Sequence, residues 1–125
     1  MTKATNQRSK WREVVVTKPG VCGGHPILKG RRVEVHNLVS DMDDWATSPE
    51  LWLSTMECSE WMTVDELIVA MEFCAERECH QLGSFCCNCT LSEDVLPPSD
   101  PDHGSKTDGW RRADRVLVRL GVRSA

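Results

Sequence analysis

Five cysteines and a histidine fall within sixteen residues in the second half of this 125-residue chain. The spacing Cys86-x2-Cys89 is typical of zinc knuckles and iron–sulfur sites, because two thiolates three residues apart can bind the same metal. An iron–sulfur cluster would take thiolates only, whereas zinc also accepts imidazole. The predicted zinc ligands are Cys79, Cys86 and Cys89, with His80, Cys74 or Cys87 as the fourth.

Helix geometry limits which of these thiols can act together. On one continuous helix, Cys74 and Cys79 would point about 140° apart, so both can bind one metal only if the helix ends between them. Cys74 also lies on an apolar helical stripe, where a free cysteine packs as a small hydrophobic residue. The alternative to a metal site is a set of reduced thiols without a shared role, as a cytosolic location would allow.

Catalysis is not expected from these residues. A nucleophilic cysteine needs a base whose side chain faces it, and the neighbours Cys79 and His80 point apart in any regular backbone geometry. The glycine-rich stretch around Gly23 and Gly24 lacks the Gly-Lys-Ser/Thr end of a phosphate-binding loop. We therefore predict a protein that is not an enzyme.

A compact hairpin is predicted over Cys22–Val35, CGGHPILKGRRVEV. Gly23 and Gly24 allow positive φ, and Pro26 holds the preceding histidine extended. Ile27-Leu28 and Val33–Val35 form two short strands joined at Gly30, and the run Glu13–Val16 forms a strand that leads into them. The joining residues Lys29 and Arg31 give the hairpin a cationic tip.

This stretch resembles the glycine-glycine-basic-Pro-Val-Ile-x-Gly-Thr-Arg-x-x-Val signature of domain-of-unknown-function family 433, whose small bacterial members are often described as VapB-type antitoxins. Arg31 stands where that family usually has threonine. The resemblance covers roughly Val14 to Ala75 and implies a β-hairpin followed by a helix-turn-helix-like bundle. It also implies a protein partner, a PIN-like nuclease toxin. The motif residues that carry it are Gly23, Gly24, Pro26 and Gly30.

Three helices should follow the hairpin. The first ends near Asp43–Trp45; the second begins at Ser48-Pro49-Glu50, an N-cap followed by proline and an acidic residue. The third begins with a capping box, Thr63 with Glu66, and runs from about Val64 to Cys79. The predicted apolar stripes are Val35, Leu38, Val39 and Met42; then Leu51, Trp52 and Met56; then Leu67, Ile68, Met71, Cys74 and Ala75.

A basic amphipathic helix is predicted at the C-terminus, after a linker-like segment rich in proline, aspartate and glycine. Asp108 would cap it and Gly121 would end it. Such a helix can dock into a partner's groove, onto the protein's own acidic middle, or into the local core. The residues predicted to contact a partner are Trp110, Arg111, Arg112, Arg115, Val116, Arg119 and Leu120.

Charge is strongly segregated along the chain. Residues 1–34 hold eight Lys and Arg against two Glu, residues 35–108 hold two against sixteen Asp and Glu, and residues 109–125 hold five Arg against one Asp. The third helix, which would enter the DNA groove in a helix-turn-helix, is acidic, so the usual docking on a duplex is disfavoured. Any DNA contact should come from Lys29, Arg31 and Arg32, from the basic arm over Lys3–Arg12, or from the C-terminal arginines, acting mainly on phosphates.

These observations predict an α+β protein that is mainly α. The expected divisions are a basic arm over 1–12, a hairpin with a helix-turn-helix-like domain over 13–80, a cysteine-bearing linker over 81–107 and a basic helix over 108–125. No apolar stretch is long enough to span a membrane, and no secretory signal is present, so we expect a cytoplasmic protein that forms a homodimer. The leading hypothesis is an antitoxin-like regulator that binds a nuclease toxin, with its own promoter DNA as a further ligand. The alternative is a docking subunit of a larger complex, stabilised by zinc or an iron–sulfur cluster and without DNA binding.

Overall fold

The computed structural model describes residues 11–20, 24–29, 33–56, 62–86, 89–91, 98–99 and 107–124. It is an α+β structure, mainly helical, as predicted. A short 3-10 turn, Trp11–Glu13, leads into a two-stranded antiparallel sheet of β1 (Val15–Val16) and β2 (Ile27–Leu28). Five helices follow: α1 (Val35–Asp44), α2 (Pro49–Thr55), α3 (Val64–Ala75), α4 (Cys79–Leu82) and α5 (Gly109–Arg119).

The hairpin differs in detail from the prediction. In the sheet, Val15 pairs with Leu28 and Val16 with Ile27, so β2 uses one edge to bind the preceding strand. On its other edge Ile27 forms a single antiparallel bridge with Glu34. The expected second arm over Val33–Val35 is therefore a one-bridge extension rather than a full strand, because α1 begins at Val35 and its helical backbone cannot continue the ladder.

The predicted start signals of α2 and α3 are in place, whereas Asp108 stands at the N-cap of α5 without a side-chain capping hydrogen bond. The Ser48 hydroxyl accepts a hydrogen bond from the Leu51 amide, and Pro49 occupies the first helical position of α2. At α3, the Thr63 hydroxyl accepts from the Glu66 amide at 3.2 Å and the Glu66 carboxylate accepts from the Thr63 amide at 3.0 Å. Each cap supplies partners for amides that the first turn of a helix leaves unpaired.

Replacing Thr63 by alanine should lower the free energy of unfolding by about 1 kcal/mol, because the α3 capping box loses its hydroxyl. Thr63→Ser, which keeps the hydroxyl, is the matched control and should stay within a few tenths of a kcal/mol of the parent. Urea unfolding followed by circular dichroism measures both. Equal losses in the two variants would show that the cap does not stabilise α3.

The C-terminal end of α3 falls four residues before the predicted one. Arg77 adopts φ +54°, the left-handed conformation, and two hydrogen bonds close the helix: the Glu78 amide to the Phe73 carbonyl and the Arg77 amide to the Cys74 carbonyl, both 3.0 Å. This pair is the Schellman arrangement, which usually has glycine where Arg77 stands. The same arrangement at Gly121 ends α5 as predicted, with φ +78°.

One hydrophobic core joins these elements. Leu38 and Met42 of α1, Leu67 and Met71 of α3, and Leu117 of α5 are fully buried in it. Helix α5 packs most extensively on α3 and next on α1, so the basic C-terminal helix completes the core. The apolar stripe predicted for α1 is buried throughout, whereas in α2 Trp52 and Leu53 are buried and Leu51 faces solvent.

Candidate functional site

The structure gathers four cysteines that are separated in the sequence. Cys74 lies in the last turn of α3, Cys79 begins α4, Cys86 follows α4, and Cys89 forms a parallel bridge with Thr107 just before α5. Gly109, the first residue of α5, lies beside two of them: a Cβ built there would be 3.8 Å from the Cys74 sulfur and 3.9 Å from the Cys89 sulfur. The two sulfurs therefore cannot be farther apart than the sum of these distances.

The electrostatics of the four thiols also show that they are neighbours. Burial, together with repulsion from Cys89 and Cys79, raises the pKa of Cys74 to about 12. Burial, with repulsion from Cys89, raises the pKa of Cys79 to about 11. Burial raises the pKa of Cys86 well above its usual value, with Cys74 and Cys89 among the charges that add to it. A thiolate on one of these residues is thus disfavoured by thiolates on the others.

Backbone amides point at two of the sulfurs. The His36 amide, in the first turn of α1, donates to the Cys86 sulfur, and the His80 amide donates to the Cys79 sulfur, each lowering the pKa of the thiol it contacts. The Cys89 amide donates to the Cys86 carbonyl at 3.1 Å, so these two cysteines flank a tight turn. Such a turn brings the first and last side chains of a Cys-x2-Cys unit to the same side.

Helix α3 ends between Cys74 and Cys79, which is the condition under which both cysteines could bind the same metal ion. Because α3 ends at Ala75 and α4 begins at Cys79, the five-residue separation no longer fixes their side chains far apart around one helix. His80 is exposed, and its Nδ1 lies 2.9 Å from the Arg77 carbonyl oxygen. Cys87 lies outside the described residues, as do Cys22 and Cys58.

The hairpin motif holds the loop that carries Cys86. The Ser84 hydroxyl donates to the Gly24 carbonyl at 2.7 Å, and His25 Nδ1 lies 2.5 Å from the Phe85 carbonyl oxygen. Since a carbonyl only accepts, His25 must carry its proton on Nδ1 here. The motif residues Gly24 and Pro26 thus lie in a segment that contacts another part of the same chain. Gly23 and Gly30 lie outside the described residues.

Glu34 lies close to this loop. Burial raises the pKa of its carboxyl group, and the charge of His25 lowers it. Its Oε1 atom is buried without a hydrogen-bond partner among the described residues. In the part of the chain that the structure describes, no group of three or more histidine, cysteine or acidic side chains is already arranged to hold a metal ion.

Of the hairpin residues predicted to contact DNA, the structure describes Lys29. Lys29 forms a salt bridge with Glu66, its Nζ 3.0 Å from Oε2, so its charge is neutralised within the chain. Arg31 and Arg32 lie outside the described residues. Helix α3 exposes Asp65 and the cap residue Glu76, and Glu76 is paired with Arg123 at 3.0 Å. Whether the chain binds a duplex stays a prediction.

The arginines of α5 bind the acidic C-terminal end of α1. Arg115 binds Asp43 with both Nε and Nη2, at 3.1 and 2.9 Å, while Arg112 donates to Asp43, Ser40 and Asp44. Arg119 donates to the Met42 carbonyl at 2.7 Å and to the Thr47 carbonyl at 3.0 Å. The hydrogen bonds and charges of Arg115 and Arg112 lower the pKa of Asp43 to about 2, against a smaller opposing effect of burial.

The other residues predicted to bind a partner are also used within the chain. Val116 is buried and Leu120 packs against the core. The Trp110 ring lies against two guanidinium groups, Arg77 at 4.7 Å and Arg111 at 4.8 Å. Of the three docking modes that the sequence left open, the structure shows α5 on its own core and on its own acidic helix. Because α5 packs against the chain's own core and its acidic helix α1, its apolar stripe and Arg112 are not available to a partner.

An exposed aromatic site was missed by sequence reasoning. Trp45, directly after α1, exposes 78% of its surface, and Leu51 in α2 exposes 56%. Between them Ala46 has φ +49°, a conformation that costs a non-glycine residue about 1 kcal/mol or more. Thr47 anchors this connection from within by donating to the Asp41 carbonyl. No periodicity identifies Trp45, because it lies just beyond the end of a helix.

Among the described residues, no helix is both long enough and apolar enough to cross a membrane. Comparison of the chain with protein-family models, with curated proteins and with solved structures found no match. The resemblance to the antitoxin-like family therefore stays a prediction.

Proposed function

We propose that this chain is a non-catalytic regulator of the antitoxin kind, which holds a protein partner through Trp45 and Leu51. The observation that carries the proposal is the exposure of these two side chains, 78% for Trp45 and 56% for Leu51. Hydrogen bonds of Thr47 hold the connection between α1 and α2 against the rest of the chain. When a partner covers a large apolar side chain, apolar surface is removed from water, and this makes the free energy of binding more favourable. Tryptophan is also the residue type most enriched among the energetic centres of protein interfaces.

The connection that carries Trp45 is held in one conformation before any partner arrives. Arg119 binds the Thr47 carbonyl, the Thr47 hydroxyl binds the Asp41 carbonyl, and the Trp52 indole donates to the Asp41 carboxylate at 3.1 Å. A surface that is already ordered loses little conformational entropy on binding. The strained backbone at Ala46 is the kind of feature that persists where the surrounding structure enforces it.

The charges around this site favour a protein partner over nucleic acid. Glu50 is exposed beside Leu51 in the sequence, and Asp65 is exposed on α3. Asp44 and Glu76 are exposed too, but Arg112 and Arg123 already pair with them. We propose a partner with an apolar pocket and a basic rim. The resemblance implies that this partner is a PIN-like nuclease. Promoter DNA is a subordinate ligand in this proposal, limited to the basic hairpin tip.

Purification of the untagged chain from its native cells should yield a small nuclease as its stoichiometric companion. With that nuclease as the probe, Trp45→Ala should weaken binding by about 30-fold or more, because loss of a central aromatic contact costs about 2 kcal/mol. Leu51→Ala should weaken binding in the same direction. Calorimetric titration with each variant measures the change in Kd.

Val122→Ala is the matched control, since Val122 is exposed and apolar but lies beyond the end of α5. Its Kd should equal that of the parent. Unchanged binding by the Trp45→Ala, Leu51→Ala double variant would contradict the proposed surface. A large enzyme as the companion would instead support the second candidate, a docking subunit of a larger assembly, which the acidic surface of α3 favours.

A further inference from the structure

We propose that Cys74, Cys79, Cys86 and Cys89 form a tetrahedral four-thiolate site that binds one zinc ion. This inference does not depend on the identity of the partner, because the site lies at the junction of α3, α4 and α5 and not beside Trp45. It rests on where the backbone places the four residues.

Three features of the backbone bring the four cysteines into one region of the molecule. The Schellman turn at Arg77 separates Cys74 from Cys79 and lets both face the same region. The turn closed by the Cys89 amide on the Cys86 carbonyl supplies the Cys-x2-Cys unit. Gly109 then places the start of α5 beside the sulfurs of Cys74 and Cys89, since a Cβ there would be in van der Waals contact with both, at 3.8 and 3.9 Å.

Zinc binding requires the four sulfurs to come together. Zinc–sulfur bonds are about 2.3 Å long, so the sulfurs of a tetrahedral site lie within about 4 Å of one another. Each cysteine can change its sulfur position by rotation about one Cα–Cβ bond among staggered rotamers. Cys86 and Cys89 also lie in loop segments outside any helix or strand, so they can follow the metal without disturbing the packing of α3 against α5.

Zinc binds a four-cysteine set as a single tetrahedral ion, whereas an iron–sulfur cluster would place several iron and sulfide atoms among the same four thiols. Four thiols bind Zn²⁺ as thiolates, so four protons leave to solvent, no electron is transferred, and the site gains a net charge of about −2.

The protein supplies groups that would stabilise this negative charge. The amides of His36 and His80 already point at the sulfurs of Cys86 and Cys79. The N-termini of α1 and α5 lie next to the cluster, where their dipoles favour thiolate. Bound metal would also remove the mutual repulsion that now opposes ionisation of these thiols, so metal binding and folding should be coupled.

The untagged full-length chain, produced with zinc in the medium, should contain about one zinc per chain by elemental analysis. Replacement of zinc by Co²⁺ should give the intense visible absorption of a tetrahedral thiolate site. Cys89→Ser should lower zinc affinity by more than the roughly 10- to 100-fold that loss of a second-shell group costs. Competition with a coloured chelator measures that affinity.

Cys58→Ser is the matched control, because it removes one thiol that precedes the N-terminus of α3 in the sequence, whereas Cys74 lies at the other end. Its zinc content and cobalt spectrum should be those of the parent. The cobalt spectrum of the unaltered chain decides the matter even if Cys89→Ser does not fold. No zinc in the pure protein, iron in place of zinc, or a cobalt spectrum without thiolate bands would overturn the proposal.

Discussion

Replacing Leu117 by alanine is expected to lower the free energy of unfolding by about 2–5 kcal/mol. Leu117 is fully buried at the centre of the α5 stripe, between the neighbouring core residues Val116 and Ala113 and the helices α1 and α3. The substitution removes buried methyl groups and leaves a cavity that rigid helices fill only in part. Chemical denaturation of the full chain, followed by tryptophan fluorescence, measures the loss.

The same experiment separates a core helix from a tethered docking helix. If α5 were free to bind a partner, Leu117 would be exposed in the isolated chain and its truncation would change stability by less than about 0.5 kcal/mol. Val122→Ala, at an exposed position just after α5, should stay within that limit. A loss in Leu117→Ala no greater than in Val122→Ala would contradict the packing described above.

Much of the fold was predictable because its signals are local. The capping box at Thr63 and the Ser48-Pro49 start of α2 depend on residues within one turn of each other. The end of α3 was not predictable in the same way. Arginine occupies the left-handed position, and only the two hydrogen bonds that close the turn show that Arg77 ends the helix.

The candidate sites, too, were predictable only where their signals are local in the sequence. The Cys-x2-Cys spacing is visible in the sequence, and so is the requirement that the helix end between Cys74 and Cys79. The part played by Gly109 is not, because it depends on how α5 packs against α3. Trp45 could not be predicted as exposed, since a tryptophan that follows an amphipathic helix is more often buried.

Acid should weaken the attachment of α5 to α1 through Asp43. Its pKa is lowered from 3.8 to about 2 in the folded chain, first by hydrogen bonding to Arg115. A lowered pKa means that the contribution to stability is complete above about pH 4 and is lost as the pH falls through about 2. Arg115 is 63% exposed, so screening reduces the contribution to about 1–2 kcal/mol.

Asp43→Asn isolates this contribution, because it keeps the size of the side chain and removes its charge. The variant should be less stable than the parent by about 1–2 kcal/mol at neutral pH, and the difference should shrink as the pH approaches 2, where the parent carboxylate is itself protonated. Urea unfolding at a series of pH values measures the difference. Glu13→Gln, which removes an exposed charge before β1, should show no comparable dependence. A difference between parent and Asp43→Asn that is constant from neutral pH to pH 2 would mean that the ion pair with Arg112 and Arg115 does not hold α5 in place, and that apolar packing does so alone.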